Sequence, residues 1–93
     1  MADVNITWVL GEGNLDNITS IVVHKKENGT CEQLQAAALA GDPAPIFTDT
    51  NKTAISYTDP GVGVGTWEYG VFVKNSAGVS VCHGTSSETV VIP

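Results

Sequence analysis

Thr66-Trp67-Glu68-Tyr69-Gly70-Val71-Phe72-Val73-Lys74-Asn75-Ser76-Ala77-Gly78-Val79-Ser80 is the stretch whose reading decides the fold. Trp67, Tyr69, Val71 and Val73 fall on every second residue, and Glu68, Gly70 and Lys74 fall between them, with Phe72 as an apolar exception. A period of two is the signature of a strand with one buried face. The run breaks at Asn75-Ser76-Ala77-Gly78, a turn signal, and apolar residues resume at Val79 and Val81. The segment therefore reads as a β-hairpin.

Working outward, the same alternation recurs. Val4, Ile6, Trp8 and Leu10 alternate with Asn5 and Thr7; Ile21 and Val23 lead a second strand ending at Lys25-Lys26-Glu27; Ile55 and Tyr57 lead another, closed by Asp59-Pro60-Gly61; and Thr89 to Ile92 form a last one. Gly11 to Asn17 and Asn28-Gly29 are turn signals. Short strands at this spacing predict an all-β, antiparallel sandwich. Ile6, Trp8, Ile21, Val23, Ile55, Tyr57, Trp67, Tyr69, Val71 and Val73 are its expected interior. One segment conflicts. Thr30-Cys31-Glu32-Gln33 has the form of a capping box, and the Ala- and Leu-rich residues that follow, ended by Gly41 and Pro43, favour a short helix over 31–40. The neighbouring strands favour a strand there.

Composition narrows the functions. The 93 residues form one domain, 1–93, with 42% hydrophobic and 15% charged residues and a formal net charge of -6. The four basic residues, Lys25, Lys26, Lys52 and Lys74, cannot build a face that neutralises phosphates, so no nucleic acid is expected as partner. No apolar run approaches the roughly 20 residues of a membrane helix, and no basic and apolar leader opens the sequence. Neither membrane insertion nor Sec export is expected. Four Asn-x-Thr triplets begin at Asn5, Asn17, Asn28 and Asn51; without a leader they read as chance rather than as glycan acceptors.

In its order of motifs the sequence resembles the fibronectin type III domain, a branch of the immunoglobulin-like β-sandwiches. Val4 to Trp8 looks like that family's second strand, with Trp8 as its core tryptophan; Ile21 and Val23 match its third; Tyr57-Thr58-Asp59 followed by Gly65-Thr66-Trp67 looks like the fifth leading into the sixth; and Asn75-x-x-Gly78-x-Ser80 matches the hairpin into the last. The resemblance implies six to seven strands and a core built on Trp8, Tyr57, Trp67 and Tyr69. The family's corner tyrosine is replaced by Trp67, whose indole N–H could donate to upstream backbone instead, unless Tyr69 takes the role. It also makes Gly29 to Leu34 the fourth strand, so strand is the expectation for that disputed segment. The resemblance also implies a first strand and a following turn ahead of the tryptophan strand, but only Met1 to Asp3 precede it. The first strand is thus missing or very short, and Asn5, Thr7 and Val9 become a candidate subunit-contact edge.

Chemistry finds little footing. Cys31, Cys82, His24 and His83 lack the close ligand pairs of zinc sites. With Cys31 placed near the turn after the third strand and Cys82 after the last hairpin, a bridge looks too long. Two free thiols and a reducing compartment are expected. No ordered nucleophile context occurs, and Asp59 and Glu68 read as surface residues. Gly61 to Gly65 precedes a strand rather than a helix, so it reads as a connection between sheets rather than a phosphate loop. No catalytic residue, cofactor or metal is expected. The four aromatics read as core rather than as a stacking platform, so a glycan ligand has no specific support. The expectation is a non-enzymatic structural or accessory protein of a multi-subunit particle, such as a phage capsid decoration or tail-associated domain on the virion surface, made in the cytoplasm. The alternatives are an adhesion, carbohydrate-binding or spacer module of a larger extracellular protein, or an enzyme appendage.

Overall fold

The computed structural model of the chain describes residues 2–9, 18–80, 82 and 87–93. Its elements are β1 (Ala2–Thr7), β2 (Ser20–Glu27), α1 (Cys31–Ala40), β3 (Phe47–Asp49), β4 (Ser56–Val62), β5 (Gly65–Asn75), β6 (Gly78–Val79) and β7 (Ser87–Ile92). The fold is mostly β, all strand pairs described are antiparallel, and one short helix interrupts them. β5 organises the larger sheet. It pairs with β2 from Trp67 to Lys74, with β7 from Gly65 to Gly70 and with β6 at Lys74 and Asn75. β3 extends the sheet beyond β2, while β1 and β4 form a separate two-stranded sheet. The hairpin read at Asn75 to Gly78 is present: Asn75 pairs with Gly78, and Ala77 N–H donates to Asn75 Oδ1 at 2.8 Å. Gly63 and Val64 link the two sheets, as the glycine-rich stretch suggested.

The larger sheet is covered on both faces, which explains why Ser20 to His24 are buried without alternation. On one face Tyr69 joins Val4 and Val62 of the smaller sheet in a cluster flanked by Ile6, Ile46, Trp67, Val90 and Ile92. On the other, Val22 and Phe72 pack against Leu34 and Ala38 of α1, flanked by Cys31, Val79 and Cys82. Phe72, the exception to the alternation, is 0% exposed beneath the helix. Gly70 permits this approach: a Cβ there would lie 2.7 Å from the Phe72 ring and 2.9 Å from Leu34 Cδ1. Of the expected interior, Ile21, Val23 and Tyr69 are buried, and Ile6, Trp8, Tyr57, Trp67, Val71 and Val73 are half-buried. Ile55 instead faces outward, 59% exposed.

Residues 31–40 are helix, not the strand that the resemblance implied. Local chemistry decides it at both ends. Thr30 Oγ1 accepts from Gln33 N–H at 3.3 Å and Gln33 Oε1 accepts from Thr30 N–H at 3.0 Å, closing the capping box. Gly41, at φ 73°, takes the left-handed cap and donates its N–H to Ala37 O at 2.8 Å. Leu34 and Ala38, four residues apart, give the helix its buried stripe.

The helix also overturns the expectation of free thiols: Cys31 and Cys82 form a disulfide with Cα atoms 6.1 Å apart. On a strand Cys31 would have lain far from Cys82; at the first turn of a helix crossing the sheet it lies beside it. The bridge closes a sequence separation of 51 residues, and its loss should cost about 3–4 kcal/mol through the freed unfolded chain. Thiol titration of the denatured, unreduced protein should find no free sulfhydryl, and reduction should lower the melting temperature. Two titratable thiols would place α1 elsewhere.

Candidate functional site

β1 is paired along one edge only among the described residues. Its partners on β4 run from Val4 opposite Asp59 to Thr7 opposite Ser56. Trp8 N–H donates to Ile55 O at 2.9 Å, which continues this register and fixes its phase. Backbone groups in an antiparallel pair alternate in direction. Residues 4, 6 and 8 therefore address β4, and the N–H and C=O groups of Asn5, Thr7 and Val9 point to the open side. All three residues are exposed, Val9 at 93%. Asp3 is the one charged residue on β1, and its Oδ1 already accepts from Gly61 N–H at 3.2 Å. The register also shifts between Ala2 and Val4. From Asn5 onward the edge carries neither charge nor proline, the usual devices against pairing with another chain.

What positions this edge is the attachment of β4 to the larger sheet. Asp59 is 6% exposed, although its Asp-Pro-Gly context reads as a surface turn. β4 continues through a bulge at Pro60 and Gly61, the latter at φ 66°, to Val62, so Asp59 lies within the strand rather than at its end. Its Oδ2 accepts from Tyr69 Oη at 2.7 Å and from Lys25 Nζ at 2.8 Å. Lys25 Nζ also lies 5.0 Å from the centre of the Trp67 ring, and Trp67 Nε1–H donates to Gly63 O at 3.1 Å. Burial first, and then the bond to Asp59, push the Tyr69 phenol well above its ordinary range, so it remains a donor.

At the C-terminal end of β1, Trp8, Phe47 and Tyr57 form a half-buried aromatic cluster, with ring centres 6.4 Å apart for Trp8 and Phe47 and 4.7 Å for Phe47 and Tyr57. Trp8 and Tyr57 are thus packed on a neighbouring ring, while Trp67 and Tyr69 belong to the cluster between the sheets. Nearby, Asp49 accepts backbone N–H bonds from Ala54, Thr53 and Asn51; the bond from Ala54 foremost holds its carboxyl below the usual range, and the three order the chain into β4.

Ligand atoms of Cys31, Glu32 and Cys82 lie within 4.8 Å of one another, but both sulfurs belong to the disulfide. His83 and the loop at 11–17 lie outside the described residues. No described helix is long and apolar enough to cross a membrane. No family model, curated protein or solved structure matches this chain.

Among the described residues, the buried imidazole of His24 is sensitive to mild acid. Burial, and then the charge of Lys74, lower its pKa from 6.5. The unfolded chain therefore takes up a proton before the native state does. Stability should be independent of this group at higher pH and fall as pH drops below about 6.5. Urea unfolding at about pH 7.5 and about pH 5.5 should show a loss that His24→Leu reduces. Equal losses in the two proteins would mean that His24 protonates as readily in the native state.

Proposed function

We propose that this chain is a non-enzymatic, immunoglobulin-like module of the fibronectin type III kind that serves as an accessory subunit of a larger particle, joined to its neighbour through the open edge of β1. The carrying observation is the outward-facing backbone of Asn5, Thr7 and Val9, exposed and unblunted on a rigidly backed strand. Pairing of β1 with β4, and of β2 with β5, supports the sandwich reading, with α1 in place of the family's fourth strand. A capsid decoration or tail-associated domain on a virion surface needs only such a stable, displayed body and a docking edge. The disulfide favours a working location outside the reducing cytoplasm. It equally favours the second reading, a spacer or adhesion module of a larger extracellular protein. Mass spectrometry of purified particles separates the two: recovery of this chain among the particle's subunits supports the first, and recovery within a longer secreted polypeptide supports the second.

The docking mode has its own test. Amides of Asn5, Thr7 and Val9 should exchange quickly in the free chain and at least about 100-fold more slowly in the assembly, as paired edge amides do. Thr7→Pro removes one outward donor, so it should abolish association while leaving β1–β4 pairing intact; circular dichroism checks the fold in parallel. Equal protection of these amides in the free and assembled states would overturn the docking mode.

A further inference from the structure

His24 is sealed beneath α1 on the helix-covered face of the larger sheet. It lies opposite Gly70 in the β2–β5 register and is 2% exposed. Leu34 closes over this pair: a Cβ on Gly70 would meet its Cδ1 at 2.9 Å. Nε2 of His24 is buried without a hydrogen-bond partner. The charged groups around the imidazole supply none. Lys26 shares its face of β2, and Lys74 and Glu68 share the same face of β5. Glu32 stands exposed on α1, and Asp42 follows the helix. The Glu68 carboxylate already accepts from the hydroxyls of Ser87 and Thr89, and Lys74 repels a further positive charge. An imidazolium therefore has no compensated place in the closed structure, and proton uptake requires Nε2 to reach water.

The part that can give way is α1. Leu34 and Ala38 are its buried residues, and no basic side chain steadies its last turn. Along its later turns Ala36, Ala37 and Ala40 border a half-open groove rather than filling it. Its first turn, by contrast, is tied to the sheet through Cys31 and Cys82. The helix can thus swing away from its free end while the tether keeps it in place to return.

We propose that His24 makes α1 an acid-released lid: in mild acid the helix lifts from the larger sheet about its disulfide-tethered first turn, the uncovered imidazole takes up a proton, and Val22 and Phe72 are exposed beneath it. The closed state holds His24 neutral, and the open state takes the proton near the ordinary value of 6.5. Well above that pH the proton adds nothing to opening. Below it, each pH unit multiplies the open population by up to about tenfold, until the closed state itself takes the proton. Between about pH 7.5 and about pH 5.0 the gain reaches about 30-fold. The lid lies on the face of the larger sheet opposite β1 and β4, so its fate does not bear on the mode of assembly.

Hydrogen exchange of the whole, oxidised chain at these two pH values tests the lid, read as protection factors so that the intrinsic pH dependence of exchange cancels. The amides of Leu34 to Gly41 should lose about 10- to 30-fold in protection on acidification. At both pH values they should be less protected than those of Val22 and Phe72, and nearly insensitive to low urea, as local openings are. His24→Leu should hold the loss below about 3-fold. If that variant does not fold, the ring nitrogens of His24 in the intact protein give the same answer: in ¹⁵N spectra they should titrate in step with the loss of protection along α1. An imidazole that titrates near 6.5 while α1 stays protected would overturn the proposal. So would an undiminished loss in His24→Leu. Exchange of α1 and β5 amides together, with one urea dependence, would also overturn it, because the opening would then be unfolding of the whole domain.

Discussion

A carboxylate taken out of water must be compensated where it lies, and Asp59 is the one on which the arrangement of layers depends. It sits on β4, in the smaller sheet, while the donors that satisfy it, Tyr69 and Lys25, sit on β5 and β2 of the larger one. An isolated two-stranded sheet is marginal in water. The apolar contacts of Val4 and Val62 supply the attraction between layers, but they are not directional. The Asp59 bonds are, and they fix how β4 lies over the sheet. β1 follows β4 by register, so the direction in which Asn5, Thr7 and Val9 present their backbone follows from the same bonds. Lys25 retains partial exposure, which weakens its share of the compensation. The Tyr69 hydroxyl, buried and held protonated, carries more of it.

The opposite face is held differently. α1 has a short apolar stripe, Leu34 and Ala38, too little for a ten-residue helix to stand alone. Its caps stop the ends from fraying, Gly70 lets it approach the sheet, and the disulfide anchors its first turn. In a domain of this size, with limited core, a covalent staple offsets what burial cannot supply. The alanine flank that leaves room beside His24 is the corollary of a helix that is pinned at one end and only lightly packed along its length.

Much of this was legible in the residues, and the failures have physical causes. Period two located β5, and the turn chemistry of Asn75 to Gly78 located its hairpin. The phase of β1 was legible too, because Ile6 and Trp8 had to face inward. Phe72 broke the alternation because its strand is covered on both faces, and the unbroken Ile21-Val22-Val23 run carried the same signal. For residues 31–40 the capping box at Thr30 and Gln33 was the sound guide; the resemblance to a sandwich family suggested a strand that the local caps forbid. That choice also misplaced Cys31 and so hid the disulfide. Asp59 looked like a turn residue because Asp-Pro-Gly usually ends a strand, whereas here the strand continues to Val62. Nothing in a sequence marks a carboxylate as buried when its donors come from two other strands. The unpaired Nε2 of His24 was likewise invisible before α1 was placed above it.

A double-mutant cycle on Asp59→Ala and Tyr69→Phe measures the interlayer bond directly, by urea unfolding of the four proteins. If the Asp59–Tyr69 bond fixes the smaller sheet on the larger, the two substitutions share one interaction, and the coupling energy should be about 1–3 kcal/mol. Additivity within about 0.5 kcal/mol would contradict the account and leave apolar contact alone holding the layer that carries the edge.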